Sequence, residues 1–214
     1  FYCTDTPKPI RFKGYDAQVQ TDLAIDYIKK NKANPFCLFL SWGPPHNPYN
    51  KVPSKYKDRI DLDKIELRDN VRERAVVEHL MELDEPSKKM KQRRKRYRKV
   101  LEDDEKLKKE NLHGYYAHTA ALDDFIGRIR SALKQAGISD NTILVFTSDH
   151  GDMLGSHRMA LKQMPFEESI RVPFIVEYPQ AVPKGKRTDA LLSPIDIMPT
   201  LLSMAGIKCP KVDG

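Results

Sequence analysis

Ile143-Leu144-Val145-Phe146-Thr147-Ser148-Asp149-His150-Gly151-Asp152-Met153-Leu154-Gly155-Ser156-His157 is the stretch that decides how this chain folds. Its first four residues form an unbroken apolar run, as a buried strand requires, and the chain turns at Asp149-His150-Gly151 directly behind it. A strand ending in Asp-His delivers a carboxylate oxygen and an imidazole nitrogen to the rim of a sheet. Such a pair suits a divalent cation: oxygen favours calcium or magnesium, while imidazole widens the choice toward manganese or zinc. The same residues can also be a loop Asp capping local amides and a His with a satisfied hydrogen bond. Lys162, a little downstream, brings a point charge able to neutralise a bound oxyanion.

On either side of this stretch the chain alternates helices with apolar strands. Tyr15–Lys30 has helical spacing at Val19, Leu23, Tyr27 and Ile28, with Lys29-Lys30 suited to the negative end of the helix dipole. Phe36–Trp42 reads as a continuous apolar strand, with Cys37 a small buried hydrophobe within it. Gly43–Tyr49 follows as a proline-stiffened loop carrying His46, which could donate a proton to a leaving group or a hydrogen bond to an anion. His113–Ala136 is a core helix with the stripe Leu122, Phe125, Ile126, Ile129 and Leu133, and Gly137 is placed to cap it. Thr142–Thr147 and Val172–Val176 are strands. Ile195–Ala205 is a closing helix, with Ser193 as N-cap, Pro194 in its first turn and Gly206 past its end. The pattern predicts an α/β layered fold with a mostly parallel sheet flanked by helices. Ligands of such sheets bind outside the carboxyl ends of strands, where His46 and Asp149-His150 both fall.

The net charge of +7 is a local property, because the nine Lys and Arg of Lys88–Lys99 exceed the whole surplus. Tyr97 is the only aromatic residue in that run, so the aromatic platforms of a single-strand nucleic-acid binder are missing, and nucleic acid is not an expected partner. Residues 58–110 are charge-rich and read as a helical excursion outside the core, its basic run balanced by Glu102-Asp103-Asp104-Glu105. No apolar stretch approaches the roughly 20 residues of a membrane span. Cys3, Cys37 and Cys209 form no metal or disulfide pattern. No signal peptide is visible at Phe1–Asp5, which says nothing about export; a periplasmic or secreted location is compatible with the sequence. Asp152, His157 and Arg158 could act directly or brace the loop. His79, His113 and His118 have no partner pattern.

The segments FLSWGPPHNPY (residues 39–49), GYYAHTAALDDFIGRI (114–129), TILVFTSDHGDMLGSHRMALKQMPFEESIRVPFIVEYP (142–179) and LLSPIDIMPTLLSMAGI (191–207) together resemble the sulfatase family of the alkaline-phosphatase-like superfamily. The resemblance implies a sulfuric ester hydrolase acting on a sulfated small molecule or glycan. It implies Asp149 and His150 as ligands of a divalent cation, calcium first, with manganese or magnesium as alternatives. It implies Lys162 and His46 as contacts to the sulfate ester, His46 also assisting the leaving group; Arg171 and Pro173 fit the pattern as structural residues. The family's early Asp-Asp pair and its Cys/Ser-x-Pro-Ser-Arg motif, whose first residue becomes the formylglycine nucleophile, have no match in the chain. Residues 1–214 are therefore expected to be the later part of a catalytic domain, an incomplete alkaline-phosphatase-like fold with little activity alone, the nucleophile lying upstream. A phosphodiesterase or phosphonate monoester hydrolase of the same superfamily, or a non-catalytic protein that binds anionic glycans through Lys88–Lys99, are the competing expectations. Oligomeric state is left open.

Overall fold

Small residues, more than large ones, make the principal helix contact. The computed structural model describes residues 12–72, 105–162 and 165–212. Its helices are α1 (Asp16–Asn31), the one-turn α2 (Ser54–Lys57), α3 (Glu105–Gln135), the one-turn α4 (Glu167–Ile170) and α5 (Pro194–Met204); its strands are β1 (Leu144–Thr147) and β2 (Phe174–Glu177). Helix α1 buries Ala17, Thr21, Ala24 and Ile28, whereas Leu23 and Tyr27 of the expected stripe are 45% and 40% exposed. The reason is close approach. Ala17 meets Ala117, Ala121 and Phe125 of α3, and Cβ-sized side chains let the two backbones come together. Val52 and Tyr56 close this cluster from the α2 side. A second cluster follows along the same helices, where Ile28, Ile129 and Leu133 pack with Phe36, Leu40 and Leu144.

Helix α3 bears out most of the stripe read from sequence: Leu122, Phe125, Ile129 and Leu133 are buried, while Ile126 is half-buried. It ends as expected, with Gly137 left-handed at φ 71° and the Ile138 N–H reaching Leu133 O at 3.1 Å. It begins earlier than expected, at Glu105, and so draws in residues assigned to the excursion. Lys108 is only 9% exposed because its aliphatic stem lies along Gly155, while Ile65 and Val71 are 4% exposed. The described ends of the excursion are thus part of the core. The basic run Lys88–Lys99 lies outside the described residues.

The strands expected at Thr142–Thr147 and Val172–Val176 hold in place as β1 and β2 and differ in pairing, whereas Phe36–Trp42, also expected as a strand, is not one in the structure. β1 and β2 form one antiparallel ladder, Leu144 opposite Glu177 and Thr147 opposite Phe174. The expected predominance of parallel pairing is therefore not seen among the described residues. A parallel pair needs a crossover that returns the chain to its starting end, whereas the β1–β2 connection folds back at the carboxyl end of β1 and enters β2 there. Phe36–Trp42 has no ladder partner among the described residues; Phe36 and Leu40 pack inward while Phe39 is 91% exposed. Cys37 is exposed, contrary to its reading as a buried hydrophobe, because its position faces away from the α1–α3 layer. The segment is anchored at its end, where the Trp42 indole N–H donates to Thr21 Oγ1 at 3.1 Å and that hydroxyl donates to Ala17 O at 2.7 Å. Helix α5 begins as read: the Ser193 N–H donates to Asp196 Oδ2 at 2.7 Å, and Gly206 follows its end at φ 69°. No described helix is long and apolar enough to cross a membrane.

Beneath the His46 loop, His118 of α3 is 2% exposed and shares a 2.6 Å hydrogen bond with the Tyr15 hydroxyl. Its Nε2 has no partner of good geometry, although the Pro48 backbone lies close enough to favour the charged form. Burial dominates and lowers the His118 pKa; Pro48 and Asp16 oppose this, and Lys57 adds to it. A base whose folded pKa lies below its unfolded value of 6.5 binds its proton more readily when unfolded. The stability it allows is complete above pH 6.5 and is lost as pH falls toward the folded pKa. Urea midpoints measured from pH 7.5 to 5 should fall for the wild type and fall less for His118→Gln. Parallel slopes would rule His118 out as the titrating group.

Candidate active site

The Asp149-His150 turn is built by glycine and held by backbone hydrogen bonds. The Gly151 N–H donates to Ser169 O at 2.8 Å, and a Cβ on Gly151 would lie 2.0 Å from Glu168 O. Only glycine lets the loop run that close to α4. The Met153 N–H donates to Leu161 O at 2.7 Å and the Gly155 N–H to Met159 O at 2.8 Å, which folds the loop back on itself. That fold brings Lys162, half-buried, next to the paired residue Leu161. Leu154, His157, Arg158 and Leu161 all have left-handed φ, between 45° and 68°. Each such non-glycine residue costs on the order of 1–2 kcal/mol, which the surrounding bonds must offset.

A polar brace supplies part of that offset. Asn70 Nδ2 donates to Glu168 Oε1 at 2.6 Å and lies 3.3 Å from His157 Nε2; Arg68 donates to Ser156 Oγ at 3.0 Å. The His157 ring stacks on Phe166 at 4.3 Å between centroids. Burial pushes the Glu168 carboxyl up, but hydrogen bonds from Asn70, its own backbone and Ser156, with His157 beside it, outweigh that and hold it below the usual carboxylate range. His157, singled out in the sequence, sits in the brace. Arg68, Asn70 and Glu168 had no signal in the sequence, because two of them lie in the excursion and meet the loop only in the fold.

Asp149 and His150 end this scaffold side by side. The Asp149 side chain is 83% exposed and its Oδ2 lies 3.4 Å from His150 Nε2. His150 Nδ1–H donates to Gly151 O at 2.7 Å, which leaves the lone pair on Nε2. A backbone carbonyl on the far ring nitrogen is the usual arrangement for a metal-ligating histidine. Two donors at 3.4 Å are spaced as neighbouring ligands of one ion at roughly 2.3–2.4 Å, within the range for calcium–oxygen bonds. The pair therefore fits a divalent cation as part of a ligand set. No group of three or more His, Cys, Asp or Glu gathers at one point among the described residues.

His46 lies in the loop behind the extended Phe36–Trp42 segment. Its Nδ1–H donates to Asn47 O at 2.9 Å, so the neutral ring carries its lone pair on Nε2 and gives up a proton there only as imidazolium. The two loops are joined three residues beyond His46, where the Tyr49 hydroxyl donates to Asp152 Oδ2 at 2.9 Å. Tyr49 was not singled out in the sequence. Burial and then the Asp152 charge push its phenol well above the usual range, so it stays a donor. An open groove of about 930 Å³ runs elsewhere along Gln18, Lys29, Asp123 and Arg128, and none of the four candidate residues lines it.

The sulfatase family model matches residues 2–207 of the chain. Over 215 residues the chain is 33% identical to an ulvan-active sulfatase from Formosa agariphila, covering 98% of this chain and 36% of that protein. A solved structure in complex with its substrate D-glucosamine-2-N,6-O-disulfate superposes with a TM-score of 0.65 and 26% identity, covering 94% of this chain and 50% of that one. A phosphonate monoester hydrolase from Silicibacter pomeroyi superposes with a TM-score of 0.74 over 93% of this chain and 40% of that one; at 23% identity this likeness shows the fold alone. These superpositions give the chain the alkaline-phosphatase-like α/β fold expected from its sequence. The chain spans just over a third of the length of that ulvan-active relative.

Proposed function

Because this chain belongs to the sulfatase family, we propose that the whole protein is a metal-dependent sulfuric ester hydrolase that releases inorganic sulfate from a sulfated glycan. The observation that carries the reading is the pairing of Asp149 Oδ2 and His150 Nε2 at 3.4 Å on a loop tied to the His46 loop. Asp149 and His150 would hold a divalent cation, calcium first, with manganese or magnesium as alternatives. Such a cation, when bound, polarises the ester and lowers the pKa of the attacking group.

The chain's own residues do the rest. Lys162 neutralises an oxygen of the transferring sulfuryl group and holds it in place for attack. His46, as imidazolium, gives its Nε2 proton to the departing alcohol oxygen while Asn47 O holds the ring through Nδ1. None of these four residues is a suitable nucleophile, and the formylglycine of the family would fill that role. The glycan preference rests on the sulfated sugar bound in one structural relative and on the ulvan-active relative, both of which are statements about those proteins.

The test compares kcat/KM for matched aryl sulfate and aryl phosphate esters, before and after chelation. Sulfate turnover at least about a hundredfold faster than phosphate turnover, lost on chelation, is expected; a preference of two pKa-sized steps is about 2.7 kcal/mol of differential transition-state binding. A phosphate or phosphonate preference would replace this reading with the hydrolase chemistry of the fold's other branch.

A further inference from the structure

We infer that Tyr49 and Asp152 form a positioning clamp that sets His46 against the Asp149-His150 pair. This inference rests on the function proposed above only for its catalytic consequence. The geometry itself is independent of that reading. Both Asp152 oxygens are engaged in holding the loops: Oδ2 accepts the Tyr49 hydroxyl at 2.9 Å and Oδ1 accepts the Leu154 N–H at 3.0 Å. Its neighbour Asp149 is 83% exposed, so two nearby carboxylates take different work.

Tyr49 is fixed from behind as well. A Cβ on Gly114 of α3 would lie 2.3 Å from Tyr49 O, so the helix backbone touches the main chain at Tyr49 directly. The Tyr115 ring meets the Tyr49 ring edge-on at 6.2 Å. The phenol thus runs from a segment packed on α3 to Asp152 of the signature loop; Tyr49 is three residues from His46, and Asp152 three from Asp149. A contact that joins segments 103 residues apart so near both loops can fix their separation. Reacting groups lose about a hundredfold in rate when misplaced by about 1 Å, which makes the clamp consequential without touching substrate.

The experiment uses Tyr49→Phe, Asp152→Asn and the double variant in the whole protein. Amide hydrogen exchange is read at Leu154 and in residues 46–52, and kcat and KM are read on the ester class the protein turns over. Tyr49→Phe should speed exchange in both loops and lower kcat by about 10–100-fold with KM within about twofold, as for residues that orient a site. The double variant should be no slower than the worse single, since one bond is removed in each case. Unchanged exchange in either loop overturns the clamp. Faster exchange with kcat unmoved, or single effects that multiply in the double, overturns its positioning role. If the protein prefers phosphate esters, the proposed function fails, while the same kcat loss on that ester still supports the clamp.

Discussion

Asp149→Ala should lower kcat/KM for a sulfate ester by about a thousandfold or more in the whole protein while leaving its thermal midpoint within about 1 °C. The first expectation follows from what a cation contributes. Lewis-acid stabilisation of transferring charge amounts to several kcal/mol, and each ~1.4 kcal/mol is tenfold in rate. Asp149 would supply the formal negative charge of the proposed ligand pair, so its loss should weaken the hold on the ion and leave His150 as a lone donor. The second expectation follows from exposure. The carboxylate is 83% exposed and its hydrogen bonds, from Ser148 Oγ and from the His150 N–H, are local, so removing it empties no core. Calorimetric titration of the chelated protein with calcium should show the affinity loss directly. Activity within tenfold of wild type would remove Asp149 from the metal site.

Gly151→Ala has the next largest expected effect, by a different route. The added Cβ would sit 2.0 Å from Glu168 O and 3.0 Å from Glu168 C, which are backbone atoms that cannot rotate away. Either the loop or α4 must move by about 1 Å. Overpacking of this kind costs ~1–3 kcal/mol, and the Gly151–Ser169 hydrogen bond that is lost with it ~1 kcal/mol more. The same shift should cost about a hundredfold in kcat, because it moves the adjacent Asp149-His150 pair. Gly127→Ala is the matched control. It lies inside α3 with nothing within 4 Å of the new Cβ, so alanine there should raise stability by up to ~1 kcal/mol. Denaturant midpoints and kcat of the two variants check both signs. Equal behaviour of the two alanines would refute the close-approach argument.

The stripe Leu122-Phe125-Ile129-Leu133, the Gly137 cap and the start of α5 at Ser193-Pro194 were legible because each is set within one or two helical turns. β1 was legible because its apolar run is bounded by Asp149-His150-Gly151. The buried face of α1 was not: its hydrophobic residues Leu23 and Tyr27 gave the stronger pattern, yet Ala17, Thr21 and Ala24 take the interface. Residue size matters there only once a partner helix is specified. The pairing direction of β1 and β2 was not legible for the same kind of reason. An unbroken apolar strand says that both faces are covered and nothing about which way its neighbour runs.

By itself, the sequence determined the α/β class, the family, and the residue types on offer: a carboxylate and an imidazole behind one strand, a histidine in a stiff loop behind an extended apolar segment, a lysine downstream. These follow from local order and residue type. Only the tertiary structure decided which groups are free and which are spent. Asp149 and Asp152 look equivalent in sequence, three residues apart on one loop. One faces solvent beside His150 Nε2; the other has both oxygens bound, to Leu154 and to a tyrosine 103 residues away. A carboxylate's role is set by the donors that reach it, and the donor that binds Asp152 arrives through the packing of Tyr49 on Gly114, a contact between segments that local sequence does not connect.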